Sequence, residues 1–218
     1  MHSYTEENYI KTIYILSGGG TEAVSTNAIA EMLQTKPASV SDMLKKLSSK
    51  NIIHYVKYRG VSLTPEGKSK ALQIIRKHRL WEVFLVNKLN FSWDEVHEVA
   101  EQMEHIQSPL LIKRLDEYLG FPKHDPHGDP IPTEKGEINQ PQQRIAAELN
   151  VNEVGVVVGV KDTQPTFLQH LDKIGICLGT RIQVIDKLDF DKSLEISINQ
   201  NKKALISAEV SKNIFVSI

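Results

Sequence analysis

Six side chains in the middle of this 218-residue chain carry nitrogen or oxygen donors at spacings that put them on shared helical faces. His78 and Glu82 are four residues apart; His97, Glu101 and His105 repeat at that interval, with Glu104 three residues after Glu101 and next to His105. Residues three and four apart are neighbours on a helix surface, so the six form two facing stripes. Imidazole and carboxylate without thiolate suit Mn2+ or Fe2+ better than they suit a copper-selecting or structural-zinc site. The single cysteine, Cys177, provides neither an internal disulfide nor a thiolate site. Affinity order alone does not exclude Zn2+ or Co2+ in vitro. One His or Glu on a helix is ordinarily a solvated surface residue. His97, Glu101, Glu104 and His105, four candidate donors within nine residues beside Ala100 and Met103, fit that description poorly.

A second group of residues is of the kind that meets nucleic acid. Apolar spacing predicts helix one over Thr5–Leu16, ended by Gly18-Gly19-Gly20, a short helix over Asn27–Leu33, and a third over Ala38–Ser49. The third buries Val40, Met43, Leu44 and Leu47 and turns Ser39, Ser41, Asp42, Lys45 and Lys46 outward. A hairpin follows, with strands at 52–58 and 61–63 joined at Arg59-Gly60. This is a helix-turn-helix with a wing. Its third helix would enter a major groove with Ser39, Ser41 and Asp42 facing bases, while Lys36, Lys45, Lys46, Lys57 and Arg59 hold phosphates.

Thr64-Pro65 starts a long helix running to about Leu89, and further helices are expected from Ser92 to about Gln107 and from Pro109 to Leu119. A Pro/Gly-rich stretch then extends to Pro141, followed by a short helical patch at Gln142–Leu149. Beyond it, five β segments at 153–161, 181–188, 194–199, 204–210 and 214–218 suggest a small SH3-like barrel. The expected architecture is therefore mainly α with a small β domain. It comprises a winged helix-turn-helix over 1–75, a helical metal-binding and dimerisation domain over 76–141, and an SH3-like β domain over 142–218.

Charge follows the same division. Residues 1–75 hold 9 Lys+Arg against 6 Asp+Glu, residues 76–141 hold 8 against 12, and the remainder is balanced at 9 each. A basic head precedes an acidic middle, as DNA binding and cation binding would require. No run reaches membrane-span length and MHSYTEENYI lacks the pattern of a signal peptide, so a cytoplasmic location is expected, with no membrane partner.

The segments HRLWEVFL, VHEVAEQMEHIQS and PHGDPIP, together with the winged helix-turn-helix, resemble the diphtheria-toxin-repressor family, including its manganese-type branch. The β segment is similar to the SH3-like (FeoA-like) domain of the longer members. The resemblance implies a repressor that binds operator DNA as a homodimer once Mn2+ or Fe2+ is bound, with no small-molecule substrate. It implies an activating site of Glu101, Glu104 and His105 completed from helix one by Asn8. It implies a second site of His78, Glu82 and His97 completed by Asp162 or Gln164. Iron-type members have a cysteine where Glu101 stands, and short manganese-type members have carboxylates where this chain has Asn8 and Lys11. His124-Asp125-Pro126-His127 resembles a Cys-Pro-His element of some relatives, with Asp125 in the cysteine's place; either Asp125 or His127 could ligate, and of the two readings we favour a proline-stiffened loop. Two alternatives use the same residues. A metallohydrolase would leave the winged domain unexplained, and the chain has no nucleophile elbow, phosphate loop or zinc-protease helix motif. A winged-helix regulator indifferent to metal is the other.

Overall fold

The structure, a computed structural model, describes residues 3–56, 59–138 and 142–218. They form two compact units that do not follow chain order. The first contains residues up to His78 with Glu101–Pro109 and Pro132–Ile138, and the second contains Arg79–Ala100, Leu110–Ile131 and the chain from 139 onward.

In the first unit, helix α1 (Tyr4–Leu16) opens on a capping box. The Glu6 amide donates to Ser3 Oγ at 3.3 Å and the Ser3 amide to Glu6 Oε2 at 3.0 Å, so two amides that the first turn leaves unpaired are satisfied. Helices α2 (Thr26–Met32) and α3 (Pro37–Ser49) follow, the latter with Pro37 in its first turn, where a missing amide costs nothing. Ile10 and Ile13 of α1, Ile29 of α2 and Val40, Leu44 and Leu47 of α3 close one core. Strands β1 (Ile53–Val56) and β2 (Gly60–Leu63) make the wing, antiparallel with Ile53 opposite Leu63. Val24 bridges to Val61 at its edge. Thr64 locks the wing to the 25-residue helix α4 (Pro65–Leu89) by donating to the Ile52 carbonyl and accepting from the Gly67 amide, each at 3.0 Å. A Cβ at Gly67 would fall 2.1 Å from that same Ile52 oxygen, so the close approach requires glycine.

The second unit is built on a six-stranded antiparallel sheet in the order β3-β8-β4-β5-β6-β7. Its strands are β3 (Arg144–Ile145), β4 (Val154–Val160), β5 (Arg181–Lys187), β6 (Leu194–Ile198), β7 (Lys202–Ile206) and β8 (Ile214–Ser217). Val157, Ile182, Val184 and Ile196 point into a core closed by Leu168 and Leu171 of helix α7 (Pro165–Ile174). Helices α5 (Val96–Met103) and α6 (Pro109–Tyr118) precede the sheet in sequence. Among the described residues no helix is long and apolar enough to cross a membrane.

Four expectations are corrected. The helix expected over 92–107 covers only Val96–Met103, because Glu95 turns back to accept the Ser92 amide at 3.1 Å and Glu104 and His105 lie in the turn after it. The patch at 142–149 is strand β3 and one tight 3-10 turn. The segment 204–210 ends as a strand at Ile206, where Ser207 caps the short helix α8 (Ala208–Lys212). Helix α7 was not anticipated, although Pro165 at its start, Leu168 and Leu171 on one face and a left-handed Gly175 at its end mark it. The expected strand at 52–58 is described only as far as Val56.

Candidate metal centres and DNA-binding face

Within the first unit, α1, the His78 turn of α4 and the turn after α5 bring their polar side chains together. Glu104, 1% exposed, sits at the centre. Its Oε2 lies 2.6 Å from His78 Nδ1 and accepts from Lys11 Nζ at 2.7 Å. The Lys11 ammonium also lies 3.5 Å from Glu101 and 3.4 Å from His78 Nδ1. His105 Nδ1 lies 2.6 Å from Glu7 Oε2, whose other oxygen accepts from Gln107 Nε2 at 2.6 Å. The ring rests on Tyr4 with centroids 3.9 Å apart. Burial pushes the Glu104 carboxyl up, but its bond to His78 and the Lys11 charge outweigh that and hold it below the ordinary glutamate value. Burial lowers the Lys77 ammonium, against the charges of Glu7 and Glu104.

One atom in this cluster is unfinished. Among the described residues His105 Nε2 is buried without a hydrogen-bond partner, and a carboxylate oxygen, Glu104 Oε1, is 3.5 Å away. A buried polar atom left unpaired costs about 1–3 kcal/mol, so such an atom beside a buried carboxylate calls for a ligand. The donors present, imidazole nitrogen and carboxylate oxygen, fit a divalent cation of the Mn2+ or Fe2+ type.

Within the second unit, Glu82 is the focus. Glu82, Asp125 and His127 are all buried, and each offers a ligand atom within 4.8 Å of the others. The half-exposed His97 presents Nδ1 at 3.5 Å from Glu82 Oε1, and His78 lies one turn before Glu82 along α4. His127 Nε2 is 2.7 Å from the Trp93 carbonyl, which only accepts, so Nε2 carries a proton and Nδ1 is the atom turned toward Glu82 Oε2 at 3.8 Å. Asp125 Oδ1 accepts the His127 and Asp129 amides, and Arg79 Nε lies 3.3 Å from Oδ2. Burial and the neighbouring charges of Glu82 and Asp129 push the Asp125 carboxyl up to about 7, against Arg79 and His127. Burial lowers His127, but the Glu82 carboxylate beside it outweighs this and carries it to about 9.

The residues named from sequence fall out as follows. Glu104 lies against His78 and 3.5 Å from His105, Glu101 meets the same Lys11 ammonium that Glu104 does, and Glu82 lies with His97. From helix one the side chains found on the cluster are Glu7 and Lys11, while Asn8 is half-buried beside them. Asp162 accepts the Gln164 amide at 2.9 Å at the start of α7, and among the described residues Asp162 joins no gathered group of His, Cys, Asp and Glu donors. The loop at 124–127 is bridged from His124 to Pro130, and it buries Asp125 and His127, the two side chains its sequence offered as ligands, beside Glu82. Glu7 could have been found from its four-residue spacing to Lys11, which puts both on one face of α1.

On the outer face of α3, Ser39, Asp42, Lys45 and Lys46 are exposed, as are Lys36 and Arg59; Lys57 lies outside the described residues. Ser41 is half-buried and donates back to the Pro37 carbonyl at 3.0 Å. Lys45 pairs with Asp42 at 2.9 Å. Lys46 and the unanticipated Lys50 both reach Glu6, at 3.1 and 2.7 Å. Burial raises the Glu6 carboxyl, but bonds from Lys50, the Ser3 amide and Lys46 prevail and bring it to about 2 from an ordinary 4.5. A carboxyl depressed by folding stabilises the fold fully above its unfolded value and loses that contribution as pH falls through its folded one. Urea unfolding of Glu6→Gln is therefore expected to show a deficit against the unmodified chain at pH 7 that shrinks between pH 4.5 and pH 2. A deficit constant across that window would contradict the ion pairing.

The sequence matches three family models in succession: the N-terminal DNA-binding domain of iron-dependent repressors over residues 1–61, their metal binding and dimerisation domain over 64–133, and the FeoA domain over 147–218. The diphtheria toxin repressor of Corynebacterium glutamicum is 30% identical over 194 residues, 84% of each chain. A solved manganese-dependent transcriptional repressor in complex with manganese gives a TM-score of 0.87 at 33% identity, covering 97% of this chain and 99% of that one. ScaR with bound Cd2+ gives 0.76 at 29% identity, covering 97% and 98%. The chain belongs to the diphtheria-toxin-repressor family of metal-dependent, DNA-binding transcriptional repressors.

Proposed function

We propose that this chain is a cytoplasmic sensor that represses transcription by binding operator DNA as a homodimer when Mn2+ or Fe2+ occupies the cluster of α1, α4 and the turn after α5. The observation that carries this reading is the buried His105 Nε2, unpaired and 3.5 Å from Glu104 Oε1. Glu104 and His105 would hold the cation, with Glu101 beside them and Glu7 or Asn8 contributing from helix one. A bound divalent cation supplies a hard positive charge shared among carboxylates and imidazole. Glu7 already pins His105 in one ring orientation, so the donor nitrogen needs little reordering. Because a ligand bound only by one arrangement raises the population of that arrangement, cation binding here stabilises the docked position of α1.

Glu82 would anchor a second site with His97, Asp125 and His127. Residues 1–75, 76–141 and 142–218 would serve as the DNA-binding, metal-binding and dimerisation, and SH3-like segments; the order matches that of the family models, whose second span opens earlier, at residue 64. The relative solved with manganese supports Mn2+ as the first cation to try. Lys36, Lys45 and Arg59 would neutralise phosphates, with Ser39 and Asp42 toward the bases. In the test, a random duplex pool is passed over the full chain with Mn2+, and bound sequences are re-measured across salt. A recovered duplex that binds only with Mn2+, with affinity falling as salt rises, is expected. Equal affinity in chelator would reject the reading.

A further inference from the structure

Glu6 and Glu7 are consecutive in the first turn of α1, and consecutive helical residues diverge by about 100° around the axis. Their carboxylates therefore serve different neighbours. Glu7 reaches His105 and Gln107, inside the sensing cluster. Glu6 is 1% exposed and takes Lys50 Nζ at 2.7 Å and Lys46 Nζ at 3.1 Å, both on one oxygen, Oε1. Lys46 is in the last turn of α3 and Lys50 is its C-cap. One peptide unit of a rigid helix thus separates the cluster's contact from the recognition helix's contact.

Capping alone does not account for this. A glutamate at the third helical position needs only one oxygen to accept the Ser3 amide, and Oε2 does so at 3.0 Å. The second oxygen is turned inward to hold two cations on another helix. Capping fixes the carboxylate's direction, and burial keeps water from competing for it.

We propose that Glu6 is a positioning residue that ties α3 to the helix bearing the metal cluster, so that the docking of α1 on cation binding sets how the recognition helix is held. This rests on the sensor reading above. Two lysines at the end of α3, themselves exposed, reach the buried Glu6 carboxylate of α1, and the tie is made by charge across two elements that share no sequence proximity.

The experiment measures two quantities on the full chain: Mn2+ affinity by calorimetry, and duplex affinity with and without Mn2+ by fluorescence anisotropy, using the duplex selected above. Glu6→Gln keeps the capping box, since glutamine serves equally at that position, but removes the charge. Ser3→Ala weakens the cap and leaves the ion pairs. Coupling between sites typically corresponds to about 5–150-fold in affinity. Glu6→Gln is expected to bind Mn2+ as the unmodified chain does while the gain in duplex affinity on adding Mn2+ falls roughly tenfold. Ser3→Ala should leave that gain intact.

A full gain in Glu6→Gln would overturn the tie, and so would an equal loss in Ser3→Ala, which would trace the effect to helix-end stability. Impaired Mn2+ affinity in Glu6→Gln would also overturn it, by making Glu6 part of the cluster. No gain in the unmodified chain would overturn the sensor reading and the tie together, an outcome distinct from the others.

Discussion

Replacing Glu104 by glutamine is expected to weaken Mn2+ binding by roughly a hundredfold and to remove most of the metal-dependent gain in DNA affinity. Removing even an outer partner of a metal ligand costs about 10–100-fold, and loss of a charged ligand falls at or beyond the upper end. Glutamine keeps the volume and can still accept from Lys11 Nζ, now at 2.7 Å from Glu104, so the change isolates the charge. Glu104→Ala is a harsher variant. It leaves Lys11 and His78, both buried, without the carboxylate they share, and breaking a buried pair costs about 3–5 kcal/mol. Calorimetry on the glutamine variant, with thermal unfolding as the control, separates the two effects. A glutamine variant that binds Mn2+ as tightly as the unmodified chain would remove Glu104 from the site.

Gly128→Ala is expected to destabilise the second unit by about 2–4 kcal/mol, the combined cost of a strained backbone angle and an overpacked contact. Gly128 has φ of +90°, and a Cβ there would lie 2.0 Å from the Val158 oxygen and 2.4 Å from Gly159 Cα. Both neighbours are backbone at the irregular register of β4, so no side-chain rotation relieves the clash. The same seat is held by the Val160 amide, which donates to the His127 carbonyl at 2.9 Å. Lifting the loop therefore also withdraws Asp125 and His127 from Glu82. Urea unfolding measures the loss, and a change under about 0.5 kcal/mol, the usual range of an ordinary surface substitution, would show that the loop does not rest on β4.

The winged head was legible because its signals are local. Three glycines end α1, Pro37 opens α3, and Val40, Leu44 and Leu47 repeat at helical spacing. The donors of the metal cluster were legible for the same reason, through intervals of three and four. What the sequence withheld depended on the tertiary path. Helix one could have turned Asn8 or Glu7 toward His105, and periodicity does not choose between adjacent residues. Glu6 reads as an ordinary capping glutamate until Lys46 and Lys50 are brought to it across 40 and more residues. Asp125 and His127 sit in a stretch without periodicity, so nothing local marks them as buried beside Glu82. Helix α7 was lost among strands because its ten residues are short for a helical pattern and lie between β segments.

The central claim is that a cation joins helix one to the His105 and Glu104 donors, and the most direct measurement of it is anomalous diffraction from crystals of the full chain grown with Mn2+. The account predicts an anomalous peak bonded to His105 Nε2 and to the Glu104 carboxylate, with a side chain of helix one completing the shell. A peak confined to the Glu82 group, with His105 Nε2 unligated in a chain whose DNA affinity still responds to Mn2+, would contradict it.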